Sequence, residues 1–200
     1  MNNEETRTIT ETVEYREGDG EETSPVLRGY ALKFGKQSQL MGRKVKFREQ
    51  IDRHALDHTD MSNVVALFNH DRSQILGRSG KNLKLTVDDV GLRYELTPLK
   101  TTAWNDLLEN VRAGLISQSS FGFTLPAEKS AQRWAKDGET YQRTLLNIDR
   151  LVDVSPVTTP AYADTEVEVD ARSLDLIKDL DKPHDLEFRK KKILLQAGLN

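Results

Sequence analysis

Short segments in which apolar residues occupy every second position constrain the fold of this chain most strongly. The clearest are residues 83–87 and 92–96, which flank the turn sequence Asp88-Asp-Val-Gly91. A period of two gives a strand one apolar and one polar face. Two such runs around a turn that ends in glycine predict a β-hairpin. The sequence therefore predicts a mainly β domain of the α+β class.

Further strands are predicted from apolar segments elsewhere in the chain. Residues 26–34 and 44–51 have strand patterns, and residues 63–70 are apolar on both faces, which is typical of a central strand. Residues 141–154 predict one long strand or a pair. Two prolines restrict residues 155–162 to a sheet edge or a loop.

Helices and turns are predicted between these strands. Apolar residues at i, i+3, i+4 and i+7 predict a helix over residues 103–113, with Gly114 at its end. Asp52 is a suitable N-cap for a short helix over residues 52–60. Residues 74–77 predict a turn, and the polar residues 126–138 predict a loop.

Length and composition predict one folded domain with two polar ends. The chain has 200 residues, of which 36% are hydrophobic, enough for one core. Residues 1–24 are predicted as a flexible arm, with an edge strand over residues 8–15 as the alternative. Residues 25–170 form the predicted domain, and residues 171–200 a charged tail of two short amphipathic helices.

Charge and residue content exclude several classes of function. The net charge is −3, and no basic stripe interleaved with aromatic residues indicates nucleic-acid binding. The absence of cysteine excludes a thiol nucleophile and disulfides. No apolar run approaches the roughly 20 residues of a membrane span, and the first residues do not resemble a signal peptide. We therefore expect an intracellular protein without a nucleic-acid or membrane partner.

Three polar residues on predicted strands have the chemistry of an acyl-transfer site. Ser120 and Gly122 lie opposite the apolar face formed by Phe121 and Phe123, so we expect the Ser120 hydroxyl on an open face where glycine admits a peptide backbone. His70 ends a buried strand, and Asp153 lies opposite Val152 and Val154. A serine nucleophile needs a histidine base and a carboxylate that orients the base. The alternatives are an ordinary strand serine and a histidine that merely ends its strand.

A metal-dependent hydrolase is a further alternative. His54 and His58 are four residues apart and would share one helical face, with Asp57 nearby. A zinc hydrolase with this spacing has glutamate directly after the first histidine. Ala55 stands there, so the pattern favours a solvated helical face without a metal.

Several motifs in order resemble the prohead maturation proteases of tailed phages, from about residue 26 to 168. The motifs are Gly29-Tyr-Ala, Phe47-Arg-Glu, Val64-Val-Ala-Leu-Phe-Asn-His-Asp71, Leu76-Gly-Arg78, Gly91-Leu-Arg-Tyr-Glu95, Ser119-Ser-Phe-Gly-Phe123 and Asp153-Val-Ser-Pro-Val-Thr-Thr-Pro-Ala-Tyr-Ala-Asp164.

The resemblance implies a serine endopeptidase without a cofactor, related in fold to herpesvirus assemblins, with a small β-barrel and a few helices. It implies His70, Ser120 and Asp153 as the catalytic residues. Asp153 stands where the family usually has glutamate, and where assemblins have a second histidine. The shorter carboxylate must therefore lie closer to the imidazole or act through water.

The resemblance also implies where such an enzyme works. It would act inside the assembling prohead in the host cytoplasm, cut scaffolding protein or the scaffolding segment of the major capsid protein, and cut itself. A homo-oligomer is compatible with this interpretation. The competing interpretation is a non-catalytic capsid or scaffold component. The tail after about residue 170 is expected to dock the enzyme to the scaffold or to be removed by self-cleavage.

Overall fold

The computed structural model describes residues 4–9, 13–16, 26–158 and 171–181. In this part of the chain the strands are β1 (Glu4–Ile9), β2 (Glu14–Arg16), β3 (Val26–Lys33), β4 (Phe47–Ile51), β5 (Val65–Phe68), β6 (Asp71–Arg78), β7 (Leu83–Val87), β8 (Gly91–Leu96), β9 (Gln118–Thr124), β10 (Gln132–Asp137), β11 (Thr140–Leu145) and β12 (Arg150–Val157). The helices are α1 (Thr102–Arg112) and α2 (Ala171–Asp181), with one 3-10 turn at Lys129–Ala131. The predicted mainly β, α+β class is confirmed.

The strands form three sheets. The first has the order β1-β9-β12-β5-β6, the second β10-β11-β4, and the third β2-β3-β8-β7. Neighbouring strands are antiparallel, except that β12 runs parallel to β5 and β11 parallel to β4. Among the described residues no sheet closes on itself, so the expected small barrel is replaced by packed open sheets.

The main core lies between the first sheet, the third sheet and α1. Its largest fully buried side chains include Tyr94, Phe121 and Trp104. The Trp104 indole donates a hydrogen bond to the Leu76 carbonyl at 2.9 Å, which ties α1 to β6. Because Trp104, Leu107 and Leu108 of α1 are all buried, the 3.6-residue pattern in the sequence is satisfied by packing into this core.

A second, smaller core joins the second sheet to α2. Phe47 and Trp134 pack with ring centroids 5.1 Å apart, and Ile177 of α2 covers them. Lys136 and the Tyr141 hydroxyl both bond the Asp181 carboxylate at the end of α2. Strands β1 and β2 lie within the predicted arm, and α2 within the predicted tail; residues 159–170 and 182–200 lie outside the described residues.

The hairpin and the long helix match their predictions. Strands β7 and β8 pair from Leu83↔Leu96 to Val87↔Leu92. The Thr101 side chain caps α1 by accepting a hydrogen bond from the Trp104 amide at 3.3 Å, and Gly114 has a left-handed φ of 72° beyond its end. The boundaries are therefore set by the capping residues visible in the sequence.

Several local predictions were wrong. Residues 52–60 form successive turns closed by i to i+3 hydrogen bonds, because the Asp52 carboxylate accepts the His54 amide two residues on and starts an Asx turn. Residues 74–77 continue strand β6, which pairs with β5 through two register shifts. Residues 132–137 of the predicted loop form β10. Of the segment predicted as a sheet edge or a loop, residues 155–157 form the end of β12, and residues 159–162 lie outside the described residues. Because β5 pairs with β12 only at Asp153 and Val154, Pro156 lies at a local edge, where proline is tolerated.

No helix in the described part of the chain is long and apolar enough to cross a bilayer.

Candidate active site

Ser120 lies in the middle of β9, between β1 and β12. Phe121 and Phe123 point into the core and stack with centroids 5.2 Å apart, while Ser120 faces the other side of the sheet. This opposition of faces is the predicted one. The predicted open face is not found, because Ser120 is 0% exposed. It lies beneath His70 and beside β1.

His70 lies in a tight turn between β5 and β6. The predicted strand over residues 63–70 ends at Phe68, and Asn69 and His70 both have left-handed backbones, with φ of 52° and 59°. Two consecutive positive φ values reverse the chain as in a type I′ hairpin turn. The reversal turns the imidazole away from the apolar face of β5 and towards β9.

Asn69 anchors this turn to the end of β12. Its side-chain oxygen accepts a hydrogen bond from the Thr158 backbone amide at 2.9 Å, and its own backbone amide donates to the Pro156 carbonyl at 3.1 Å. Asparagine is among the residues that tolerate the left-handed region best. These contacts hold the His70 backbone in a conformation that histidine adopts rarely.

Asp153 reaches the site through a β-bulge. The register between β12 and β9 shifts between Leu151 and Asp153, which leaves Val152 as the extra residue. Leu151 and Val154 are therefore the core residues, and the predicted shared face of Val152 and Val154 is wrong. The bulge places the Asp153 carboxylate on the side of the sheet that carries Ser120.

The three side chains form a continuous chain of hydrogen bonds. His70 Nε2 is 2.5 Å from Ser120 Oγ, and His70 Nδ1 is 2.7 Å from Asp153 Oδ1. The Asp153 side chain is 4% exposed, whereas that of His70 is 26% exposed. The shorter carboxylate thus contacts the ring directly and needs no bridging water. A buried carboxylate behind a partly exposed imidazole is the arrangement that fixes one tautomer and leaves Nε2 facing the serine.

Ser155 completes the surroundings of the carboxylate and was missed in the sequence. Its hydroxyl donates to Asp153 Oδ1 at 2.7 Å and lies 3.4 Å from His70 Nδ1. It is fully buried. The available signal was its position two residues after Asp153, which puts both side chains on one face of the strand.

Gly122 has a different role from the predicted one. A Cβ atom built on Gly122 would lie 2.3 Å from Asp153 Oδ2. Gly122 is directly opposite Asp153 in the register of β9 and β12. The space left by the missing side chain is therefore filled by the Asp153 carboxylate and not by an incoming peptide.

A small cavity of about 140 Å³ opens beside His70 and Asp153. Apolar side chains of β5, β6 and β12 line it, together with Arg72 and Arg78. Glu4 of β1 also lines it and accepts a hydrogen bond from Arg72 at 3.1 Å. The cavity is adjacent to the Ser120 site and large enough for one side chain.

The histidines of the alternative metal site lie elsewhere. His54 and His58 are exposed on the turns of residues 52–60, and His54 Nδ1 lies 3.1 Å from Asp57 Oδ2. Within the described residues no group of three or more histidine, cysteine or acidic side chains is arranged to hold a metal ion.

Comparison with known proteins indicates the same chemistry as the geometry of this site. The sequence model of the family described as caudovirus prohead serine protease matches residues 11–180. The chain belongs to this family. Its activity is therefore that of a serine protease of phage capsid maturation. The predicted family resemblance is confirmed.

The fold has a solved counterpart. The structure of the bacteriophage T4 capsid assembly protease, gp21, superposes with a TM-score of 0.52 at 12% sequence identity, over 77% of this chain and 96% of that one. At this identity the similarity is one of fold. A search of curated proteins found no match.

Proposed function

We propose that this chain is a serine endopeptidase in which Ser120 is the nucleophile, His70 the general base and Asp153 the residue that orients the base. The observation that carries the proposal is the pair of short contacts along the line Ser120–His70–Asp153, at 2.5 and 2.7 Å. Membership of a serine protease family supports it independently.

The chemistry follows from these contacts. Asp153 accepts a hydrogen bond from the Nδ1–H of His70, so the proton stays on Nδ1 and the neutral ring keeps its lone pair on Nε2. That lone pair takes the Ser120 proton as Oγ attacks the scissile carbonyl, and the imidazolium then returns the proton to the leaving amine. Asp153 stabilises the charged ring while it exists. Water repeats the sequence on the acyl enzyme and releases Ser120.

The proposed substrates are the scaffolding protein, or the scaffolding segment of the major capsid protein, and the enzyme itself. Membership of a family described as prohead serine proteases supports this choice, because the prohead is the particle in which we expect the enzyme to act. The enzyme would then act inside the assembling prohead in the host cytoplasm.

Intact mass of the purified chain over time tests the proposal, alone and mixed with the phage's own scaffolding and capsid proteins. The parent should produce discrete fragments, and Ser120→Ala and His70→Ala should produce none. Removing either group of such a unit costs several decades in rate.

Two variants serve as matched controls. Ser119→Ala removes the neighbouring hydroxyl of β9, which bonds Tyr94 at 2.8 Å on the core side. His54→Ala removes a histidine that contacts a carboxylate but no serine. Both should still cut. Continued cutting by Ser120→Ala would place the nucleophile elsewhere, and an inert parent with its own substrates present would favour the non-catalytic role.

A further inference from the structure

Strand β1 lies against the edge of β9 that a peptide must use to reach Ser120. The pairs run from Glu4↔Thr124 to Ile9↔Ser119, with Thr8 directly opposite Ser120. The other edge of β9 is paired with β12 over the same residues. His70 covers the hydroxyl from the face of the sheet. An extended peptide can therefore reach Ser120 by strand addition only at the position that β1 holds.

The backbone of β1 also competes for the proton of Ser120. The Arg7 carbonyl lies 2.9 Å from the Ser120 hydroxyl and can accept its hydrogen bond in place of His70 Nε2. A hydroxyl has one proton to donate, and the general base needs that proton directed at His70 Nε2. With β1 in place, a peptide carbonyl lies at the nucleophile and the serine is closed to other substrates.

The side chains of Glu5 and Arg7, on the face of β1 opposite the Ser120 site, belong to a buried ionic network. Arg7 Nε donates to Glu49 at 2.6 Å, and Arg143 donates to Glu5 at 2.8 and 3.0 Å and to Glu49 at 2.8 Å. Arg7 also bonds Glu5, and its guanidinium lies 5.5 Å from the Phe123 ring centroid. Glu49 and Arg143 belong to β4 and β11 of the second sheet.

The charges of Glu49 and Arg143 favour a bound strand that carries an acidic and a basic residue two positions apart. Burial opposes the charge of Arg7, but Glu49 and Glu5 outweigh it and raise the Arg7 pKa. Burial alone would raise the pKa of Glu5, but the hydrogen bond from Arg143 and the charge of Arg7 lower it to about 2. Glu49 thus pairs with the Arg7 guanidinium, and Arg143 pairs with the Glu5 carboxylate; both partners come from β1.

We propose that β1 occupies the groove in which the peptide to be cut binds, and that the groove recognises an extended strand with an acidic residue two positions before a basic one. Glu5 and Arg7 fill these positions within the same chain. This inference rests on the proposed function, because it assigns the substrate chemistry of the Ser120 site. Cleavage requires β1 to leave and a substrate strand to replace it.

The network is suited to such an exchange. With β1 bound it contains two arginines and two glutamates, and without β1 the Glu49–Arg143 pair remains. Both states are neutral overall, so departure of β1 leaves no unpaired buried charge. A substitution of Arg7 alone leaves an excess carboxylate and should expel β1, since an unpaired buried charge is strongly unfavourable.

A fluorophosphonate reagent measures access to Ser120 without knowledge of the substrate. Serine attack forms the Oγ–phosphorus bond, fluoride leaves, and His70 takes the proton; intact mass reports the rate. We expect Arg7→Ser to react at least about tenfold faster than the parent, since a tenfold rise in the fraction of molecules without docked β1 corresponds to only about 1.4 kcal/mol. Ser120→Ala gives the blank. The matched control is Arg28→Ser, which removes a partly exposed arginine bonded to Glu14 of another edge strand.

Loss of a buried arginine can unfold the chain, so Arg7→Lys is the second variant. Lysine keeps the charge but loses the planar fork that bonds Glu5 and Glu49 together. It should react faster than the parent and more slowly than Arg7→Ser. Circular dichroism establishes that each variant is folded. Folded Arg7 variants that react at the parental rate would overturn the inference.

Peptides added in trans test the recognition rule. A synthetic peptide of residues 2–11 should slow the reaction of Arg7→Ser, or be cut at the site, whereas the same peptide with Glu5→Arg and Arg7→Glu should do neither. Equal effects of the two peptides would overturn the recognition rule. If every folded variant reacts no faster than Ser120→Ala, the proposed function itself fails, and the inference that rests on it falls with it.

Discussion

Substitution Gly122→Ala tests how the Asp153 carboxylate is held. The new methyl group would lie 2.3 Å from Asp153 Oδ2, whereas an ordinary contact begins at 3.4 Å. The carboxylate, or the strand beneath it, must move by about 1.1 Å, the difference between these distances. A shift of that size away from His70 would lengthen the 2.7 Å contact with Nδ1 to about 3.8 Å, beyond hydrogen-bonding range.

The expected kinetic cost follows from lost orientation of His70, the proposed base. A displacement of roughly 1 Å in an active site costs about 10²-fold in rate, or about 2.7 kcal/mol. Overpacking should also cost about 1–3 kcal/mol in the free energy of unfolding. The assay is the initial rate of scaffold or capsid-protein cleavage, with thermal unfolding measured on the same samples.

The control must lose stability without touching the site. Gly138 lies in the turn between β10 and β11 with φ of 60°, and beyond its two chain neighbours no atom lies within 4 Å of the position that a methyl group would take there. Gly138→Ala should cost about 1–2 kcal/mol through backbone strain alone and should cut normally. If Gly122→Ala cuts within about threefold of the parent rate, less than about 0.7 kcal/mol, the claimed dependence on Gly122 is wrong.

Three further predictions address Asp153, the His70 turn and β1. Ser155→Ala removes the donor to Asp153 and should slow cutting about fivefold, equivalent to about 1 kcal/mol; Ser155→Thr should recover most of the rate, and no recovery would argue against a role of the hydroxyl. Asn69→Gly keeps the left-handed backbone but loses the bond to Thr158, whereas Asn69→Ala loses the bond and adds about 1–2 kcal/mol of strain. The alanine variant should therefore unfold at a lower temperature and cut more slowly than the glycine variant. Equal unfolding temperatures and equal cutting rates of the two variants would contradict this. The Glu5 pKa is lowered to about 2, so its contribution to β1 docking is fully present above the ordinary pKa of 4.5 and is lost as the pH falls towards 2. Hydrogen exchange of residues 4–9, corrected for intrinsic rates, should lose protection over this range while the β7–β8 hairpin keeps its protection; constant protection of both down to pH 3 would refute the assignment.

Local sequence patterns predicted the elements that depend on contacts between residues close together in the chain. The alternation in β7, β8 and β9 and the capped helix α1 depend on contacts that repeat every two or three to four residues. The chemical types at Ser120, His70 and Asp153 were legible for the same reason, since each follows or opposes an apolar strand face. Their meeting in space depends on strand order, which spacing along the chain does not report.

Features that depend on single backbone irregularities were not predictable from periodicity. The left-handed pair Asn69 and His70 ends β5 at Phe68, two residues before the end of the predicted strand. The bulge at Val152 exchanges which residues of β12 face the core. Pairing of β1 with β9 joins residues more than 100 positions apart, and no local pattern in a polar segment such as residues 4–9 indicates its partner.

These irregularities together explain how an aspartate can reach His70 at a position where the family resemblance implied glutamate. The bulge advances β12 by one residue and presents Asp153 directly opposite Gly122. The absence of a side chain on Gly122 lets the carboxylate lie close over β9, and the left-handed turn brings the imidazole within 2.7 Å of it. Ser155 supplies a hydrogen bond to the same oxygen. The carboxylate position is therefore set by the backbone of three neighbouring strands, and the shorter side chain reaches the ring because the strands approach it.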